Sequence, residues 1–228
     1  MMKSTIQHFI DERVESYVAS KYKALDDETK SLRDECELAN FPLILRDTEL
    51  FLRVYLKALG PGRILEIGTA YGYSAIFFSK LLPESKIITI EKVIASAEIA
   101  KENIAKYDLA DKIELKLGDA DEVLSEMIDS KCFEDPDDKF DFVFIDAAKS
   151  HYAEYLDKSV KLCKKGSVII CDNVLMHGMT SDDSFDETGR HKTSIKKMRE
   201  FLDDISSDPR FDTALISTGD GLAIIELI

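Results

Sequence analysis

Five short apolar runs, each closing on or beside an acid, constrain this chain more than any other feature. They are RILEIG (63–68), KIITIE (86–91), KIELKLGD (112–119), FDFVFID (140–146) and GSVIICD (166–172). Their acids, Glu66, Glu91, Asp119, Asp146 and Asp172, recur every 25 to 28 residues. That interval holds one strand, one crossover helix and two short loops. Four runs are almost uninterrupted, as parallel strands covered on both faces are. KIELKLGD alternates instead and reads as a strand nearer an edge. Between the runs, VIASAEIAKENIAKYDL sets Ile94, Ala97, Ile104 and Tyr107 at helical spacing. AEYLDKSVKLCKKG ends in lysines and Gly166, a helix C-terminal signal. The alternation predicts an open α/β sheet.

The ends of the chain read differently. Helices are expected over 3–20, 25–39 and 48–59. Thr48 is the expected N-cap of the third, with Leu50, Phe51, Val54, Tyr55 and Ala58 as its apolar face. After Asp172 the segment 174–192 is polar and reads as a mobile loop over a site. A helix (SIKKMREFLDDIS) follows. Two strands, FDTALIST and LAIIELI, then flank Gly219-Asp220-Gly221, a tight hairpin signal. No linker interrupts the chain, so residues 1–228 are expected to form one domain, with 1–60 as a helical extension.

The 228 residues, 45% of them apolar, suffice for one sizeable core. Acids outnumber bases 44 to 30, a net charge of -14. Such a surface repels phosphate backbones and anionic lipid, which argues against nucleic acid and membrane as partners. No stretch approaches a membrane span, and MMKSTIQHFIDERVESYV has no apolar signal core. The four cysteines form no CxxC pair, and Cys163 and Cys171 look like small core residues. A reducing cytoplasm without structural disulfides is the expectation.

The first strand leads into LEIGTAYGYSAIFF, with Gly68 and Gly72 four apart. This is neither GxGxxG nor a P-loop, yet it joins a strand to a helix, where glycine lets backbone approach a ligand. Glu66 would repel pyrophosphate and suits a cationic ligand group such as an amino-acid ammonium. Glu91 can accept from both hydroxyls of a ribose. Asp119 can accept from the exocyclic amine of a base. A nucleoside with a cationic amino-acid tail satisfies all three, and S-adenosylmethionine is such a molecule. Any one of these acids alone would read as a helix cap or a hydrated loop. Their order along successive strand ends beside a glycine loop favours the ligand.

LEIGTAYGYSA, ITIEK, LGDADEVL, FDFVFIDAAKSHY, IICDNVLMHG and DPRFDTALISTGDGLAIIELI together resemble the cation-dependent O-methyltransferases of the caffeoyl-CoA and catechol group. The resemblance runs from about residue 40 to the C-terminus. It implies a Rossmann-like, doubly wound, seven-stranded sheet, mostly parallel with an antiparallel last strand and helices on both faces. It also implies S-adenosylmethionine as donor and a homodimer. Donor contacts are implied for Glu66, Gly68, Thr69, Gly72 and Ser74 in the first loop. They are implied as well for Glu91, for Asp119 and Ala120, and for Asp146.

Asp146 and Asp172 end consecutive strands in the sequence. If those strands pair, about 4.8 Å apart, both carboxylates leave one sheet edge and can share an ion, with Asn173 adding a neutral oxygen. Three oxygens leave open positions on an octahedral Mg²⁺; Ca²⁺ and Mn²⁺ are alternatives, and no Cys or His is placed to favour zinc. The resemblance puts a divalent metal at these same positions. Alone, Asp172-Asn173 would be an ordinary turn. A metal chelating two adjacent aromatic hydroxyls would acidify one of them. Lys149, three residues after Asp146, stands where the catechol-type relatives carry a lysine. Like charge beside an ion suits it to act as a neutral base. His151, Tyr152 and His177 read as loop or pocket wall. Ala147-Ala148 and Met176 depart from the relatives near the acceptor side, so the expected acceptor is only a small vicinal-diol aromatic. Three rival readings stand beside this one: a metal-independent methyltransferase, an NAD-dependent oxidoreductase, and a non-catalytic nucleotide-binding module.

Overall fold

A computed structural model describes residues 12–228. Seven strands form one sheet: β1 (Arg63–Ile67), β2 (Lys86–Glu91), β3 (Ile113–Leu117), β4 (Phe140–Ile145), β5 (Cys163–Asp172), β6 (Phe211–Ile216) and β7 (Leu222–Leu227). Their order is β3-β2-β1-β4-β5-β7-β6. Pairings from β3 through β5 are parallel, and β7 runs antiparallel to both β5 and β6. The expected mostly parallel seven-stranded sheet with an antiparallel last strand is therefore observed, and the alternating run forms the edge strand β3. The order of winding switches between β1 and β4, at the middle of the sheet, which is where open α/β sheets hold ligands.

Helices cover both faces: α1 (Glu12–Ala19), α2 (Asp27–Leu38), α3 (Arg46–Leu59), α4 (Tyr73–Leu81), α5 (Ile94–Lys106), α6 (Ala120–Asp129), α7 (Tyr152–Leu162) and α8 (Lys192–Ser207). Because strand side chains alternate, each strand feeds two cores. Leu65, Val143, Ile145 and Ile169 pack toward α6, α7 and α8. Ile64, Phe142, Phe144 and Ile170 pack toward α2, α3 and α4. Phe78 of α4 meets Phe142 and Phe144 edge-on, with ring centroids 6.1 and 5.5 Å apart. None of the described helices is long and apolar enough to cross a membrane.

Several local expectations are corrected. Helix α1 covers only the end of the expected 3–20; residues 3–11 lie outside the described part. Helix α3 starts at Arg46 after Leu45, so Thr48 is no cap. It sits on the inward face, where a Cβ on Gly219 would overlap its hydroxyl. That face is Thr48, Glu49, Leu52 and Leu56, whereas Val54 is exposed. In α5, Ala97, Ala100 and Ile104 face inward and Ile94 is exposed. Small residues win there because Ala100 abuts the glycine loop at Gly72. Gly166 does not end α7, which stops at Leu162. It lies with φ +82° inside β5, where the register with β4 slips between Phe140 and Phe142. Ser167 Oγ bridges that irregularity to the Phe140 carbonyl at 2.8 Å.

The start of segment 174–192 is pinned to the β6–β7 turn. Val174 N donates to Gly221 O (3.1 Å), Leu175 N to Asp220 O (2.9 Å) and His177 N to Asp220 Oδ1 (2.6 Å). Val174, Met176 and Thr180 are buried, His177 is exposed, and a largely exposed stretch begins at Ser181. Cys36, Cys163 and Cys171 are buried free thiols, and Cys132 is exposed and free.

Candidate active site

A cavity of about 270 Å³ opens where β1 and β4 part. The loop Gly68–Tyr71, Ser74, Glu91, Gly118, Ala120 and Asp146 line it. Gly68 has φ +103°, and a Cβ there would overlap the Asp146 carbonyl oxygen. The glycine's first task is thus to let β1 and β4 close up, not only to admit a ligand. Gly72 has φ +85° and opens α4. Glu91 ends β2, and its two oxygens accept from Ala70 N (2.8 Å) and Val93 N (2.7 Å). Each oxygen keeps a lone pair for another donor.

The other acids expected to contact the donor, Glu66 and Asp119, do not line the cavity. Glu66 is fully buried beneath the loop and does not line the cavity. Its Oε2 accepts from Thr89 Oγ1 at 2.5 Å, and Thr89 Oγ1 in turn lies 2.5 Å from Thr69 Oγ1. Burial pushes the Glu66 carboxyl up to about 7, with Asp146 and Glu91 adding like charge. Asp119 caps α6 through Asp121 N (2.9 Å) and pairs with Lys92 (2.6 Å). Its neighbours Gly118 and Ala120 line the cavity; Asp119 itself stands at the edge.

Beside the cavity, β4 and β5 pair with Ile145 opposite Cys171, which sets Asp146 next to Asp172 as the spacing anticipated. Lys149 Nζ gathers the group: it donates to Asp146 Oδ1 (2.8 Å), Asn173 Oδ1 (3.0 Å) and the Asp172 carbonyl (3.4 Å). The Tyr152 hydroxyl accepts from the same ammonium at 2.7 Å and donates to the Asp172 carbonyl at 2.8 Å. Asp172 Oδ1 accepts from Asn173 N (2.7 Å), while Oδ2 is buried without a partner. Burial, then the charge of Asp146, push the Asp172 carboxyl up to about 7.

Asp146 and Asn173 oxygens converging on one cation, beside an unpartnered carboxylate oxygen, fit a divalent ion. Two carboxylates and an amide are hard oxygen donors, suited to Mg²⁺, Ca²⁺ or Mn²⁺. Among the described residues, no group of three or more His, Cys, Asp or Glu side chains could hold a metal. His151 is half-exposed and pairs with Glu154, and His177 points its exposed ring toward Asp220.

The family model for O-methyltransferases matches residues 15–228. The chain belongs to that family. It is 32% identical over 214 residues to a caffeoyl-CoA O-methyltransferase of Populus kitakamiensis, covering 91% of this chain and 89% of that protein. It is 29% identical over 181 residues to a catechol O-methyltransferase of Niastella koreensis, covering 78% and 80% of the two chains. The crystal structure of an O-methyltransferase from Bacillus cereus in complex with S-adenosylhomocysteine superposes with a TM-score of 0.79 at 28% identity, over 95% of this chain and 97% of that one. The family read from the motifs is borne out, and the protein is an O-methyltransferase.

Sequence reasoning missed one part of this O-methyltransferase's site region. Arg33 of α2, Glu49 of α3 and Tyr73 of α4 form a buried cluster beside the cavity. Arg33 and Glu49 are 16 residues apart and Tyr73 lies 24 beyond Glu49, so no local pattern links them. The only signal was a charged residue on the inward stripe of α3. Sequence reasoning also missed a second cavity, about 900 Å³, between the N-terminal helices and the β6–β7 turn; it shares Leu43 and Ile44 with the first.

Proposed function

We propose that this O-methyltransferase moves a methyl group from S-adenosylmethionine to one hydroxyl of a small vicinal-diol aromatic acceptor, with a divalent cation held by Asp146, Asp172 and Asn173. One observation carries the reading. Asp146 belongs to both halves of the site: it lines the glycine-loop cavity, and the β4–β5 pairing sets it beside Asp172, whose buried Oδ2 has no partner. The donor is further supported by Glu91, whose oxygens retain acceptor capacity for a ribose. The product-type ligand of the Bacillus cereus relative points the same way.

A divalent ion at those oxygens would lower the pKa of a coordinated hydroxyl. The chain's own residues do the rest. Tyr152 and Asp146 hold Lys149 beside the reacting region. In its neutral form the lysine takes the acceptor hydroxyl proton. The acceptor oxygen then attacks the sulfonium methyl in line, the S–CH₃ bond breaks, and its electrons stay on a neutral thioether. Lys149 returns the proton to water. Cavity walls that fix both reactants contribute through near-attack geometry.

A second reading, metal-independent methyl transfer, is favoured by the Lys149 ammonium bridging Asp146 and Asn173. A labelled-methyl screen over a panel of aromatic diols separates the two. Turnover abolished by EDTA and restored by Mg²⁺ is the expected result. Turnover untouched by EDTA selects the second reading, and failure to bind the donor removes both.

A further inference from the structure

The Arg33–Glu49 pair is 3% and 1% exposed; Arg33 lines the second cavity, and the pair also touches Ile44 and Tyr73, which line the glycine-loop cavity. Its hydrogen bonds reach two residues that line the glycine-loop cavity. Arg33 Nη2 donates to Glu49 Oε2 (2.5 Å) and to the Ile44 carbonyl (3.0 Å). Arg33 Nε donates to Glu49 Oε2 and to the Tyr73 hydroxyl, each at 3.1 Å. The Tyr73 hydroxyl donates to Glu49 Oε2 at 2.7 Å, and the Tyr22 hydroxyl to Glu49 Oε1 at 2.9 Å. The guanidinium also stacks over the Tyr73 ring, 4.6 Å from its centroid.

Tyr73 directly follows Gly72, so it fixes where the glycine loop ends. Ile44 belongs to the wall formed by the α2–α3 connection, and both residues line the cavity. A second tie runs in parallel: Phe41, just before that wall, stacks on Tyr71 of the glycine loop with ring centroids 3.6 Å apart. Stability alone is a poor account of the pair, because an apolar replacement for a buried ion pair is often neutral or stabilising. What an apolar replacement lacks is the guanidinium fork, which here reaches a carboxylate, a hydroxyl and a backbone carbonyl at once.

We infer that Arg33 and Glu49 are positioning residues for the methyl donor: they hold the Ile44 wall and the Tyr73 end of the glycine loop at the separation the donor needs. The inference rests on the donor reading proposed above. It assigns the N-terminal helices a role in donor binding, which no motif in them announces.

The test is calorimetric titration of S-adenosylhomocysteine into wild type, Arg33→Lys and Tyr73→Phe, with thermal midpoints measured without ligand. Arg33→Lys keeps the charge opposite Glu49 but loses the fork; Tyr73→Phe keeps the ion pair and loses only its tie to the loop. Both are expected to bind about tenfold more weakly, the loss of roughly one buried hydrogen bond to a charged group. Tyr73→Phe is expected to do so with a midpoint close to wild type, and the donor KM should rise more than kcat falls. Variants that bind as wild type does, or a midpoint that drops while donor affinity holds, overturn the inference and leave a purely structural pair. Should Arg33→Lys fail to fold, Tyr73→Phe decides alone. Absence of binding to wild type removes the donor reading and this inference with it.

Discussion

In the proposed mechanism, Lys149 is the side chain on which most of the chemistry turns. Four oxygens surround its ammonium, and two belong to side chains that would ligate a metal. Replacing it with Ala is expected to cut turnover by about 10² to 10⁴, the usual range for a lost acid–base group. S-adenosylhomocysteine affinity should hold, because Lys149 does not line the donor cavity. Single-turnover kinetics with separate ligand titration reads both, and normal turnover would remove the base assignment. Glu66 makes a different prediction, about stability. Its carboxyl titrates near 7 when folded, above its ordinary 4.5. The folded chain therefore keeps a proton that the unfolded chain sheds. Stability from this group is full below about pH 4.5 and is lost as pH rises toward 7, by about 3 kcal/mol at most. Urea unfolding of Glu66→Gln at pH 5 and pH 8 should show a smaller fall than wild type. Equal falls would mean that the burial of Glu66 is not what sets its charge.

Among elements, the base of the sheet offers the clearest test. Asp141, at the start of β4, accepts from Gly62 N (2.8 Å) and Arg63 N (2.9 Å) at the start of β1 and pairs with Lys164 of β5. Burial works against its charge, but Lys164 and the two amides outweigh it and hold the carboxyl below the usual range. Asp141→Ala is expected to cost about 2–3 kcal/mol at pH 7. A depressed carboxyl stabilises above its unfolded pKa and stops doing so as pH falls, so the deficit should shrink by pH 3. A deficit unchanged between those pH values would point to packing instead. The strands themselves were legible because two-sided burial writes an uninterrupted apolar run. Helix faces were less so. The inward stripe of α3 carries Thr48 and Glu49, and Glu49 is tolerable there only through Arg33 and Tyr73 from other helices. That compensation has no trace in the local period. In α5, the demand for small residues beside Gly72 overrode the larger Ile94.

For the whole molecule, strand order decided what the sequence could disclose. Acids spaced by one βα unit become neighbours only if their strands do. Asp146 and Asp172 are adjacent because β4 and β5 pair, whereas Glu66 and Asp146 come together because β1 and β4 pair across the switch in winding. The first adjacency was readable from consecutive strands; the second required the topology. The N-terminal helices were legible as helices, but their position beside the cavity was not, since it depends on contacts made 16 to 40 residues away. Gly68 ties these observations together. The missing side chain at that position leaves room for the backbone of Asp146. Even one methyl group there would act as a wedge between two central strands and displace Asp146 relative to Asp172. A stretch that looks like a nucleotide fingerprint therefore also calibrates the gap between oxygens on the neighbouring strands. An engineer who wished to change the donor by rebuilding that loop would be retuning the proposed cation's cradle in the same stroke.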